Sequence, residues 1–211
     1  KVVNQKLPKV GGIQITIKRE DLSHTTVSGN KFRKLKYNLE QATREGYNTL
    51  LTFGGPFSNH LAATAAAGMI KGFKTIGVVR GDEKNQNPTL QFCKDQGMTL
   101  FPVSRSTYRE KHNSYFRKIL RQKFGKFYLI PEGGTNSFAV RGCSEILTTA
   151  DKDFDVICCS VGTGGTLAGL IQSAQSNQKV LGFAALCHRG LEHDIERFTE
   201  KKNWEINHNY V

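Results

Sequence analysis

The stretch Thr49-Leu50-Leu51-Thr52-Phe53-Gly54-Gly55-Pro56-Phe57-Ser58-Asn59-His60 joins two kinds of local order. Thr49–Phe53 is a compact apolar run of strand length, and Gly54-Gly55-Pro56 ends it with a turn signal. Ser58 or Asn59 then stands where a helix N-cap belongs. The alanine-rich segment 60–71 behind it stops at Gly72, a residue suited to a helix C-terminus. Strand, loop and helix follow one another within 24 residues.

The same succession extends both ways along the chain. Upstream, Ile13–Lys18 is a β-branched run, and Lys31–Arg44 carries Phe32, Leu35, Leu39 and Ala42 at helical spacing. Downstream, Thr75–Val79 and Thr99–Val103 predict strands separated by a helix that starts at Pro88, runs through Asp95 and stops at Gly97. Ser114–Phe124 predicts a helix and Lys126–Ile130 a strand closing on Pro131-Glu132-Gly133-Gly134. Val140–Ala150 follows as a helix. Asp155–Val161 is a continuous apolar strand leading through Gly162-Thr163-Gly164-Gly165-Thr166 into a helix over Leu167–Ser176. Val180–Leu186 predicts a last strand and Ile195–Lys202 a last helix.

Continuous apolar strands imply burial on both faces, and intervening helices imply parallel crossovers. The expected class is therefore α/β, with open, largely parallel sheets and helices on both sides. Ligands in such folds bind beyond the carboxyl ends of the strands. Three glycine-containing loops fall there: Gly54–Asn59, Pro131–Asn136 and Gly162–Thr166.

Composition excludes several classes. The 211 residues carry 30 Lys and Arg against 18 Asp and Glu, a formal charge of +12, with an ordinary globular apolar content. That content argues against disorder. No apolar run approaches the ~20 residues of a membrane-spanning helix, and Lys1–Gly12 lacks the apolar stretch of a signal peptide. Five thinly spread cysteines do not make a disulfide framework, which favours a reducing, cytoplasmic location. The basic residues are dispersed apart from Lys31, Arg33, Lys34 and Lys36, and no nucleic-acid-binding signature is present. No nucleic-acid or membrane partner is expected.

Each loop has a chemical and a bland reading. Gly162–Thr166 brings unpaired N–H groups, a helix N-terminus and two hydroxyls together, the makings of a phosphate cradle; it could also be an ordinary βα turn. The dinucleotide fingerprint fails at Leu167 and a Walker A loop fails at Phe127, so a phosphate bound there is expected to belong to something other than NAD or ATP. Lys31 follows the turn dipeptide Gly29-Asn30 at the start of a helix, where the dipole disfavours its ammonium form; a neutral amine is what imine chemistry needs. A surface lysine is the plain alternative. Ser58, Asn59 and His60 can cap a helix, hold a ligand, or both. Cys187, His188 and His193 match no zinc spacing, so no metal is expected. Cys158 and Cys159 are expected to be packed, unreactive thiols.

Taken together these motifs resemble the fold-type II pyridoxal-phosphate enzymes, relatives of the tryptophan synthase β chain. Within them the chain is similar to the 1-aminocyclopropane-1-carboxylate deaminase and D-cysteine desulfhydrase family. The resemblance rests on Lys18-Arg19-Glu20-Asp21-Leu22, Gly29-Asn30-Lys31 with Arg33-Lys34-Leu35, Gly54-Gly55 leading to Ser58-Asn59-His60, Pro131-Glu132-Gly133-Gly134, and Gly162–Thr166 in that order. It implies pyridoxal 5'-phosphate held covalently by Lys31, with Asn59 beside the ring hydroxyl and Gly162, Thr163, Gly164, Gly165 and Thr166 around the phosphate. It implies that Ser58, Asn59 and His60 meet a small amino-acid substrate. Lys31 is the implied base for a D-cysteine α-proton, and Ser58 the candidate nucleophile for opening a cyclopropane ring. The products would be ammonia and a 2-oxo acid. His60, where the deaminases carry glutamine, leans toward the desulfhydrase branch.

The resemblance further implies a homodimer and two domains. Residues 45–126 would form the smaller, and 1–44 with 127–211 the larger, cofactor-binding one. It places a tyrosine over the cofactor and a partner for the pyridine nitrogen further along than Val211. A molecule ending there is expected to bind cofactor weakly and turn over little. It could instead be a non-catalytic remnant that binds a phosphate or a protein.

Overall fold

The computed structural model describes residues 2–81, 87–186 and 190–209. The elements in chain order are β1 (Asn4–Lys6), β2 (Thr16–Lys18), α1 (Asn30–Arg44), β3 (Thr49–Gly54), α2 (Asn59–Lys71), β4 (Lys74–Arg80), α3 (Pro88–Asp95), β5 (Met98–Val103) and α4 (Arg105–Arg109). They continue with α5 (Ser114–Phe124), β6 (Tyr128–Leu129), α6 (Ser137–Ser144), β7 (Val156–Val161), α7 (Gly165–Ser173), β8 (Lys179–Ala184), α8 (Leu191–Glu196) and β9 (Trp204–Asn207).

Two all-parallel sheets organise them, with strand orders β5-β4-β3-β6 and β7-β8-β9. β3 and β4 are buried along almost their whole length, as continuous apolar runs demand. Leu50 packs toward α1 and α2, while Leu51 and Phe53 pack with Tyr108, Phe116 and Leu120 of α4 and α5 on the other face. The strand expected over 126–130 contracts to Tyr128–Leu129, and it pairs with β3.

The second sheet departs from expectation. β7 is an edge strand, and its side chains alternate between exposed and half-buried. Cys159, Val161, Val180 and Ile206 face the core built by α6, α7 and α8. Val156 and Cys158 point the other way and are exposed, so Cys158 is not a packed thiol, and Cys159 is only partly covered. Continuous apolarity in the sequence could not show which face lacks a covering layer among the described residues.

Other differences have local causes. α6 begins at Ser137, three residues earlier than the periodicity suggests, because Asn136 Oδ1 accepts the Ala139 N–H at 2.9 Å. It stops at Ser144; Thr149–Asp151 is instead a short 3-10 turn with a Thr148–Asp151 capping box. Ile13 leaves the strand for a Val10–Ile13 bridge around Gly11 and Gly12, both at positive φ. α8 starts just after Gly190 and ends at Glu196, anchored by Leu191 and Ile195 one turn apart and fully buried.

The arrangement that positions the site is the stack of α1 on α6 on α7. A Cβ at Gly142 would lie 2.0 Å from the Arg33 carbonyl oxygen, and one at Gly169 would lie 2.4 Å from Cys143 Cβ. Only glycine lets these backbones approach so closely. The N-terminal half of α1 is thereby held beside the start of α7. The antiparallel β1–β2 hairpin is fastened to the same body through buried Asp151, which takes Lys18 Nζ at 2.7 Å and Asn4 Nδ2 at 2.8 Å.

Candidate active site

The loops between strands and helices converge on one cavity of about 660 Å³. α1 contributes Asn30, Lys31 and Lys34 to its wall; the start of α2 contributes Ser58, Asn59 and His60. The loop before α6 gives Glu132 and Gly133, and the loop before α7 gives Gly162, Thr163, Gly164 and Thr166. Every site residue expected from the sequence lines this cavity except Gly165, which is buried directly behind it.

Local chemistry explains each placement. Ser58 is the N-cap of α2: its Oγ accepts the Leu61 N–H at 3.3 Å, and its β-region backbone is that of a cap. Gly54 must lack a side chain, since a Cβ there would come within 2.7 Å of Ser58 Oγ. Gly164 caps α7 in the left-handed region at φ 76°, and a Cβ on it would meet Ile195 at 2.7 Å. The loop is thus pressed against α8 on one side and borders the cavity on the other. Thr166 Oγ1 accepts from Asn30 Nδ2 at 2.9 Å, tying this loop to the residue before Lys31.

Lys31 is largely buried, and no hydrogen-bond partner engages its amine among the described residues. Burial pulls its pKa down, with the Cys143 thiol opposing weakly. Its amine is therefore easier to deprotonate than a surface lysine. His60 is also buried. Thr52 Oγ1 donates to the Ile130 carbonyl at 2.9 Å, so the remaining bond of 2.9 Å requires His60 Nε2–H to donate to Thr52. Nδ1 is then an unprotonated acceptor. Burial first, then the charges of Lys31 and Lys34, hold the imidazole well below its ordinary pKa, so the ring is neutral.

Sequence reasoning missed Lys34 as a site residue. It lies three residues after Lys31, a spacing that puts both on one helix face. Its Nζ donates to the Gly133 carbonyl at 2.9 Å and to the hydroxyls of Thr135 at 3.1 Å and Thr163 at 3.4 Å. Glu132 was likewise unassigned. Tyr108 donates to its carboxylate at 2.7 Å, and Lys111 pairs with it at 3.4 Å. Among the described residues no cluster could hold a metal ion, and no helix is long and apolar enough to cross a membrane. Cys187 and His188 lie outside the described residues.

A deprotonation-prone lysine and a glycine-rich helix start share a cavity of ligand size in a parallel α/β fold, a combination suited to a phosphate-bearing cofactor held through an amine. The comparisons with known proteins agree. A model of the pyridoxal-phosphate dependent enzymes matches residues 4–194. The chain belongs to that family.

A Thermotoga maritima protein provisionally named as a 1-aminocyclopropane-1-carboxylate deaminase is 40% identical over 174 residues, covering 79% of this chain and 55% of that one. The Arabidopsis thaliana mitochondrial bifunctional D-cysteine desulfhydrase/1-aminocyclopropane-1-carboxylate deaminase is 30% identical over 178 residues, covering 75% and 44%. A solved structure of a homologue of 1-aminocyclopropane-1-carboxylate deaminase superposes with a TM-score of 0.82 at 27% identity, covering 94% of this chain and 65% of that one. The chain spans about half the length of the curated relatives it matches.

The cavity fits the family's cofactor on its own chemistry. It offers one amine with no hydrogen-bond partner among the described residues, a glycine loop opening a helix, and the buried Lys34 amine beneath that loop.

Proposed function

We propose that the protein is a pyridoxal-phosphate-dependent lyase or deaminase of small amino acids. It is of the D-cysteine desulfhydrase or 1-aminocyclopropane-1-carboxylate deaminase type, releasing ammonia and a 2-oxo acid. The observation that carries this reading is Lys31, a buried amine of lowered pKa in one cavity with Ser58, Asn59 and Gly162–Thr166. The names of the relatives point the same way.

In this reading Lys31 holds the cofactor, and the loop 162–166 holds its phosphate. Bound there, the cofactor supplies an electron sink for charge developing on the substrate. Asn59 meets the ring, and Ser58 and Asn59 meet the substrate carboxylate. His60 forms the neutral wall behind them, fixed by Thr52. Once free of the cofactor, Lys31 is placed as a base for the proton on a substrate α-carbon; its depressed pKa keeps a share of the amine ready to accept it. For a substrate without that proton, Ser58 Oγ is the nucleophile. Its cap bond from Leu61 N–H uses the oxygen as acceptor and leaves the hydroxyl proton free to be moved.

On the same reading residues 45–126, extended by the strand at 128–129, act as a smaller domain against the rest. The working form is a cytoplasmic homodimer.

The test is the visible absorption spectrum after pyridoxal phosphate is added. A cofactor band that disappears in Lys31→Ala is expected. No band in the parent protein refutes the assignment. Pyruvate release from D-cysteine, L-cysteine and D-serine, measured beside the oxo acid formed from 1-aminocyclopropane-1-carboxylate, then ranks the substrates.

A further inference from the structure

Lys34 is 2% exposed, yet no carboxylate pairs with it among the described residues. Its three ammonium protons meet three neutral oxygens, so the charge is hydrogen-bonded without being balanced. Among the described residues no neighbouring element balances it. Lys31 stands one turn earlier on the same helix. From α2, His60 is neutral. From α6 and β7 come the thiols of Cys143 and Cys159, which burial keeps protonated, the latter pushed up to about 12. From α7, Gly165 is so close that a Cβ on it would sit 3.2 Å from Lys34 Nζ, and the helix N-terminus carries positive character of its own.

The hydroxyls between Lys34 and the cavity have a direction. Thr135 Oγ1 and Thr163 Oγ1 lie 2.6 Å apart, so one donates to the other, and both accept from Lys34. Thr163 borders the cavity and Thr135 does not. If Thr135 donates to Thr163, the last hydroxyl proton is left to Thr163 and can be aimed at whatever anion sits there.

We infer that Lys34 is the proton-linked counter-charge of the cradle at residues 162–166: a dianion bound there holds Lys34 as an ammonium ion through Thr163, so its binding draws one proton from solvent onto Lys34 Nζ. This rests on reading the cavity as an anion-binding cofactor site. Lys34 is a positioning residue in this role. Burial, then the charge of Lys31, brings its ammonium down to about 7, so near neutrality the bound anion decides the form.

The probe is sulfate, which stays a dianion where phosphate would itself titrate. Calorimetric titration in two buffers of different ionisation heat counts the protons taken up. In the parent protein, binding about tenfold weaker at about pH 8 than at about pH 6 is expected, with close to one proton taken up at the higher pH. Lys34→Gln should lose both the uptake and the pH dependence, Lys34→Arg should bind without pH dependence, and Lys31→Ala should keep the uptake but shift it to higher pH, because the charge that helps lower Lys34 is gone. If Lys34→Gln does not fold, the other three proteins decide the matter.

Sulfate that fails to bind at about pH 6, binds without proton uptake, or draws its proton in Lys34→Gln overturns the inference. The cofactor band lost in Lys31→Ala is a separate reading. Its presence together with proton-free sulfate binding sinks the role of Lys34 alone.

Discussion

Adding one methyl group at Gly142 is expected to displace the helix that carries both cavity lysines. The new Cβ would lie 2.0 Å from the Arg33 carbonyl oxygen and 2.8 Å from its carbonyl carbon. Both are backbone atoms of α1, and no rotamer change can move them, so α1 and α6 must separate by more than an ångström in a close-packed interior. Such overpacking costs about 1–3 kcal/mol, and alanine's better helix propensity returns up to about 1 kcal/mol. A net loss of about 1 kcal/mol corresponds to about a fivefold shift toward the unfolded state.

Urea denaturation should show Gly142→Ala with a lower midpoint at unchanged slope. Spectrophotometric titration with pyridoxal phosphate should show weaker binding, because Lys31 and Lys34 ride on the displaced helix. Gly162→Ala is the contrast: nothing lies within 4 Å of its would-be Cβ, so stability should hold within about 0.5 kcal/mol while cofactor affinity falls. A Gly142→Ala protein with parental stability and parental affinity would refute the stacking argument.

Two further outcomes follow from buried polar groups. Burial alone would raise the pKa of Asp151, but Lys18, the Thr148 N–H and Asn4 outweigh it and hold the carboxyl below its unfolded value. Its stabilisation is therefore present above about pH 4 and lost as pH falls through the depressed folded value. The urea midpoint of Asp151→Asn should trail the parent at neutral pH and converge on it in acid; a gap independent of pH would contradict this. Thr52→Val strips His60 Nε2–H of its acceptor and should destabilise the fold by about 1–3 kcal/mol in chemical denaturation, with Thr52→Ser restoring most of it. Equal stability of Thr52→Val and the parent would mean the imidazole is held in another way.

The first sheet and the loops around the cavity were legible because their signals are local. Ser58, Gly72 and Pro88 mark helix ends by side-chain and backbone chemistry acting within a few residues. β3 and β4 are buried on both faces, so their apolar runs could be read without knowing what covers them. The place of Lys31 at the start of a helix was equally legible, because a turn dipeptide marks where that helix begins. β9 was not anticipated: a four-residue strand with Glu205 in the middle has no apolar run, and it exists through its pairing with β8.

The sequence by itself determined the alternation of most strands, loops and helices, the α/β class and the set of loops that line one cavity, since hydrophobic period and capping chemistry are properties of neighbouring residues. Only the tertiary structure decided which charges lose water. Lys31 and Lys34 look alike in the chain. The close approach of α1, α6 and α7 at Gly142 and Gly169 leaves one amine without a hydrogen-bond partner among the described residues and gives the other three neutral oxygens. The same holds for Cys158 and Cys159, adjacent in sequence, one exposed and the other partly covered, because a strand's two faces are told apart by what packs on them.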